Sequence, residues 1–257
     1  MSLASSAIIT IRKISLGSLI ATIILLSALF SGEAAAGRDY TMKLKSYPIK
    51  KMTPVRQKIT PDSVNYSAAD FFEAYTGNGD NDRNKVLLYL LGVLDTTEGK
   101  TWCNYDSVKI TPLRAVILEY FKKLPQNELA KERASAVIEK ALRNSFPSCK
   151  GNRSTTLSPI KQKITPDSVD YSAADFFEAY MGNEDNARDK VLFYMLGVLD
   201  TTEGKVWCNY WGFKTITLRE SVFEYFDKLP KDRLQERASS ILEEALGREF
   251  PSCRGVK

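Results

Sequence analysis

Residues 85–103, KVLLYLLGVLDTTEGKTWC, return at residues 190–208 as KVLFYMLGVLDTTEGKVWC, 105 positions further on. Each copy is an apolar run with a glycine inside it, followed by an acidic turn and Trp-Cys. Each is followed in turn by Phe-Pro-Ser-Cys, ending at Cys149 and at Cys253. One copy is compatible with an ordinary buried helix. Two copies with matched cysteines constrain the chain to a tandem duplication of one cysteine-closed unit. A chain of 257 residues, 44% hydrophobic, accommodates two such units of about 100 residues each.

The segments before the repeats read differently. Arg12 and Lys13 precede an uncharged, mostly apolar run at 14–30, and Ala34, Ala35 and Ala36 follow it. This is the pattern of a secretory signal peptide at residues 1–36, cut after Ala36. An uncleaved membrane anchor is the other reading, but the run is at the short edge of what spans a bilayer and contains Ser and Thr. Residues 37–58 have no helical period and read as an exposed basic arm. The repeats then occupy 59–149 and 164–257, joined by a polar linker at 150–163.

Export fits the cysteines. Four cysteines in an oxidising compartment read as disulfides. The duplication selects one of the three pairings, Cys103 with Cys149 and Cys208 with Cys253. A metal site ordinarily uses His, and the chain has none, so neither metal nor cofactor is expected. The acidic run at 78–85 has a calcium-loop alternation in Asp80, Asp82 and Asn84, but lacks that loop's Gly and Glu.

The net charge of +5 does not describe the folded units. Residues 37–58 carry seven basic and one acidic residue, and the linker carries four basic and none acidic. Repeat one has 11 basic and 12 acidic residues, whereas residues 164–253 of repeat two have 10 basic and 17 acidic. A nucleic-acid partner needs a basic folded face and is not expected. The acidic second repeat suits a basic protein partner.

The expected fold class is all-α: two tandem repeats, each a four-helix unit closed by one disulfide. In repeat one, Ser67 and Asp70 form a capping box for a helix at 68–76. A second helix, about 82–97, is apolar nearly all round and therefore central. Gly92 inside it costs about 1 kcal/mol relative to Ala, and Gly197 repeats it. Close approach of another backbone is the expected compensation. A third helix, about 112–123, is expected to be capped by Thr111. In repeat two, Thr217 and Glu220 supply a capping box. A fourth helix is expected at about 128–144.

Without His there is no Ser-His or Cys-His nucleophile, and no Gly-rich phosphate loop occurs. The remaining candidate chemistry is a carboxylate pair three residues apart, Asp95 with Glu98 and Asp200 with Glu203. Such pairs can hydrolyse glycosides. Placed near a helix C-terminus they need partners. Nearby Lys100 or Lys205 can serve, or Asp95 or Thr96 can cap the turn before Trp102. Gly92, Asp95, Trp102, Gly197, Asp200 and Trp207 are accordingly read as structural, with both tryptophans packed beside a disulfide. No catalytic residue is assigned.

YLLGVLDTTEGKTWC, TPLRAVILEYFKKLP and ASAVIEKALRNSFPSC, with their counterparts in repeat two, together resemble the Rap/Tai family of type VI secretion amidase immunity proteins. The resemblance covers residues 85–149 and 190–253. It implies a small, all-helical, exported, non-enzymatic protein. Such proteins bind and block a peptidoglycan amidase delivered by another cell. They act in the periplasm, commonly as homodimers, and insert a surface loop into the enzyme's cleft. This chain departs in having two units, and in carrying Asn104-Tyr105 and Asn209-Tyr210 where the family has a proline soon after Trp-Cys.

The tandem repeat is thus expected to be a covalent version of the family dimer, its halves packed on each other. The segments at 104–109 and 209–214 are expected to contact the partner. Asn104, Tyr105, Asn209, Tyr210, Trp211 and Phe213 are the candidates, because aromatic residues anchor interfaces. Covering the disulfide is their other reading. The turns at 123–127 and 228–232 are a second candidate pair. Two other functions fit the composition: a periplasmic structural or stress-related protein-binding module with no toxin partner, and a carboxylate-dependent hydrolase.

Overall fold

The computed structural model describes residues 54, 56–103, 109–146, 162–208, 210–250 and 253, with Asp185 and Trp211 by their backbone alone. The expected signal peptide, most of the expected basic arm and all of the expected linker but its last residues lie outside this set, as do Asn104, Tyr105, Asn209 and Cys149.

Among the described residues there are nine α-helices and no strand. Repeat one contributes α1 (Ala68–Thr76), α2 (Asp80–Thr97), α3 (Ile110–Lys122), the one-turn α4 (Gln126–Leu129) and α5 (Ala134–Ser145). Repeat two contributes α6 (Ala173–Met181), α7 (Asp185–Thr202), α8 (Thr215–Asp227) and α9 (Ala238–Glu249), with 3-10 turns at Tyr210–Gly212 and Arg233–Gln235.

The helix starts follow local chemistry. The Ser67 hydroxyl accepts from the Asp70 amide as the expected cap, but the Asp70 carboxylate accepts from that hydroxyl rather than from the Ser67 backbone N–H that a full capping box uses. Ser172 and Asp175 repeat it. The third helix departs from expectation. It starts at Ile110, with Lys109 as cap residue and no side-chain cap. Thr111 therefore lies inside the first turn, where Pro112 is also accommodated because its missing N–H would have had no partner. Thr217 likewise lies inside α8, which begins at Thr215, so Thr217 and Glu220 do not form a cap.

The fourth helix is interrupted. After α4 the chain turns at Arg133 before α5 begins. That turn lets the Ala134 amide donate to the Tyr66 carbonyl, while the Ala68 amide donates to the Glu132 carbonyl. Two helix N-termini are thereby stitched together and two otherwise orphan amides are satisfied. Repeat two is one residue shorter here, and the turn tightens to 3-10 geometry.

Helices α2 and α7 are the core. Val86, Tyr89, Leu90, Leu91, Val93 and Leu94 are at most 1% exposed, as are their counterparts Val191, Tyr194, Met195, Leu196, Val198 and Leu199. The most extensive helix–helix contact among the described residues is α2 against α7. It turns on the two glycines. A Cβ on Gly92 would lie 2.1 Å from the Tyr194 carbonyl oxygen, and one on Gly197 would lie 2.1 Å from the Tyr89 carbonyl oxygen. The backbone that Gly92 admits is therefore that of the equivalent helix in the other repeat.

Cys208 and Cys253 form a disulfide across 45 residues, Cα to Cα 5.2 Å. It ties the end of the turn after α7 to the segment after α9. Cys103 is also disulfide-bonded. The end of the basic arm is not a free leader. Arg56 pairs with Asp70 at 2.7 Å and Glu73 at 2.8 Å, and the Gln57 amide donates to Asp70.

Candidate partner-binding site

The sequence motif that ends each central helix builds a polar junction from both repeats. Tyr89, Gly92 and Asp95 recur every three residues along α2, so they share a side of the helix. Tyr194, Gly197 and Asp200 do so on α7. The glycines let the helices touch, and each tyrosine then reaches the other helix's aspartate. Tyr89 donates its hydroxyl to Asp200 at 2.5 Å, and Tyr194 donates to Asp95 at 3.0 Å.

Around the Asp200 carboxylate the donors among the described residues come from repeat one. The Asn65 amide donates at 2.7 Å and Arg133 stands 3.4 Å away. Arg133 also donates to the Asn65 side-chain oxygen, the Asp200 carbonyl and Glu203. Ser135 donates to the same Asp200 carbonyl. Residue 65 has φ of 69°, which asparagine tolerates better than most side chains. The mirror cluster has Arg237 donating to the Asp95 carbonyl, Glu98 and Asp170, with Ser239 on the Asp95 carbonyl. Asp170, at φ 55°, replaces Asn65.

Burial shapes the titration of these groups. It pushes the Asp200 carboxyl above the ordinary aspartate range, against the opposing pull of Arg133, Tyr89 and the Asn65 amide. Tyr89 and Tyr194 are driven well upward, first by burial and then by the carboxylate each one faces. Burial pulls Arg133 and Arg237 down, but the surrounding carboxylates more than offset it and both end raised.

Asp95 and Asp200 are each 2% exposed. They are closed to substrate and bonded within the fold, an arrangement that supports a structural rather than a hydrolytic role. Their partners differ from those expected. Lys100 instead pairs with Glu243, and Lys205 donates to Glu139 at 2.5 Å. Each lysine thus crosses to the other repeat. The turn before Trp102 is closed by Thr97, not by Asp95 or Thr96: Trp102 Nε1 donates to its hydroxyl at 3.1 Å. Trp207 and Thr202 repeat this at 3.0 Å. Gly99 and Gly204, at φ 79° and 84°, supply the left-handed residue that the turn requires.

Both tryptophans are fully buried. Trp102 packs on Phe146, and Trp207 packs on Phe250 and Tyr210. The Cys253 sulfur lies 3.0 Å from the Trp207 carbonyl oxygen. Of the candidate contact residues, Tyr210 and Phe213 have their side chains described, and both are half-buried. The Tyr210 hydroxyl donates to the Asp62 carbonyl of repeat one and shares a hydrogen bond with Thr215. Phe213 stands edge-on to Phe250, ring centres 5.1 Å apart. These two rings anchor the loop beside the disulfide. Ile216, at the start of α8, is 58% exposed. In the turns at 123–127 and 228–232, Lys123, Pro125, Asn127, Lys228, Pro230 and Asp232 are exposed.

The sequence reading did not single out Asn65, Tyr89, Tyr194, Arg133 or Arg237. The tyrosines had a signal: Tyr-x-x-Gly-x-x-Asp puts two polar groups on one side of an otherwise apolar helix. The arginines had none, because their partners lie in the other repeat, 67 to 142 residues away.

No protein of curated description matches the chain. A model of the family described as Rap1a immunity proteins matches residues 67–149 and again residues 172–253. Each match spans one repeat from its capping serine to its final cysteine, and together they cover more than half of the sequence. The chain belongs to the Rap1a immunity protein family and carries the family's unit twice.

Proposed function

We propose that this protein is exported to the periplasm, where it binds a peptidoglycan amidase toxin and occludes its cleft. The observation that carries the reading is the double match to the Rap1a immunity proteins. The amino-terminal signal pattern and the oxidised Cys208 and Cys253 support export.

In this reading the two repeats stand in for the two subunits of a dimer. The reciprocal Tyr89–Asp200 and Tyr194–Asp95 contacts support it. So does the exchange of Lys205–Glu139 against Lys100–Glu243. A symmetric dimer makes every contact twice.

The proposed contact surface is the loop after Trp-Cys in each repeat, with Asn104 and Tyr105 in one and Asn209, Tyr210, Trp211 and Phe213 in the other. Tyr210 and Phe213 act as its footing on the cystine, and exposed Ile216 extends the surface along α8. A loop held this way enters a cleft with less ordering cost than a free one.

Co-purification of the tagged full chain with secreted peptidoglycan amidases tests the reading. A stoichiometric complex that abolishes hydrolysis of purified cell wall is expected. Capture of many unfolded proteins and no amidase would instead support a protein-binding module without a toxin partner.

A further inference from the structure

A cavity of about 530 Å³ opens where the amino-terminal turns of α2 and α7 face each other. Its volume falls in the range of small-molecule sites, roughly 300–1,000 Å³. The same positions of both repeats line it: Asn81 and Asn186, Lys85 and Lys190, Leu88 and Phe193. Leu88 and Phe193 are buried and give it an apolar floor. Thr165 and Pro166 close one side, held by Arg114, which donates to the Pro166 carbonyl and pairs with Asp167 at 2.8 Å.

The two lysines are not equivalent. Lys85 pairs with Asp82, one turn earlier, at 3.1 Å, and lies 5.9 Å from the centre of the Phe193 ring. The position matching Asp82 in repeat two is Ala187. Lys190 accordingly makes no ion pair among the described residues, and it is half-buried between this cavity and a neighbouring one that Asp175, Glu178 and Glu184 also line. Asn81 and Asn186 add amide donors at the first turns of two long helices, where both helix dipoles favour negative charge. Asp189 is the one carboxylate lining the cavity among the described residues, and it is exposed.

We infer that this cavity is a binding site for a small carboxylate-bearing ligand, with Lys190 as its counter-ion and the Leu88–Phe193 floor receiving the ligand's apolar part. The site is independent of the toxin-binding loop. A carboxylate placed there supplies the charge that Asp82 supplies to Lys85. An apolar body is needed as well, because the floor offers no hydrogen bond to displace water against.

Titration of the full chain with benzoate, followed by side-chain methyl and aromatic NMR shifts, tests the inference. Benzoate is expected to saturate a site with shifts centred on Leu88 and Phe193. Neutral benzamide is expected to bind about tenfold more weakly, and Lys190→Met to weaken benzoate by a similar factor, the scale of a charge-assisted hydrogen bond. Asp189→Asn is expected to tighten benzoate about two- to threefold by removing a like charge. Failure of benzoate to saturate, equal affinity for benzamide, or shifts away from Leu88 and Phe193 would overturn the inference. So would wild-type affinity in folded Lys190→Met, or weaker binding in Asp189→Asn.

Discussion

A methyl group on Gly92 would overlap the Tyr194 carbonyl, and one on Gly197 the Tyr89 carbonyl. Both obstacles are helix backbone, which cannot rotate aside as a side chain does. Gly92→Ala or Gly197→Ala is therefore expected to destabilise the protein by about 1–3 kcal/mol or more, the cost of overpacking, despite the better helix propensity of alanine. Urea denaturation reads this directly. Glu139 gives a pH-dependent test. Burial opposes its ionisation, but Lys205, Thr101 and Arg143 outweigh burial and hold its carboxyl below the ordinary glutamate value. A lowered folded pKa contributes stability above the unfolded value of about 4.3, and that contribution disappears as pH falls through the folded value. Glu139→Gln should thus lose most relative to wild type at neutral pH and converge with it in acid. Asp200, raised by burial, has the opposite sign. Its contribution is complete below about pH 3.9 and is lost as pH rises through its folded value.

At the scale of the helix, the sequence was most legible where the chemistry is local. The Ser67 cap, the central apolar helix and the cysteine pairing of repeat two depend on neighbours or on the duplication itself. Legibility failed where a distant segment decides. Thr111 has the chemistry of a cap, yet α3 begins one residue earlier. The break before α5 exists because Ala134 and Ala68 trade backbone bonds with the other element's entry. Lys100 and Lys205 lie close in sequence to Asp95 and Asp200, but each crosses to the other repeat. Asn104, Tyr105 and Asn209 lie outside the described residues, so the proposed contact loop is carried by its anchors. The disulfide is the main element-scale constraint. It closes a loop of 45 residues, worth roughly 4 kcal/mol in the chain-entropy model. Replacing Cys208 and Cys253 together by serine is expected to lower unfolding stability by about that amount. The same change should weaken the proposed amidase capture, because the Trp207–Tyr210 packing loses its tether.

At the scale of the whole molecule, each repeat leaves its central helix incomplete. Asp95 and Asp200 each take a tyrosine partner from the opposite repeat, and a buried carboxylate stripped of partners costs about 3–5 kcal/mol. Neither repeat satisfies its own core, so the two should unfold together rather than in sequence. Arg133→Met and Arg237→Met, one in each repeat, should accordingly each lower the midpoint of a single shared transition rather than split it into two. The most direct measurement is sedimentation equilibrium of residues 37–257 over about a hundredfold range of concentration. Because each repeat already occupies the other's central face, a monomer is expected throughout. A dimer that grows with concentration would contradict the account, for it would mean that those faces seek partners in a second molecule.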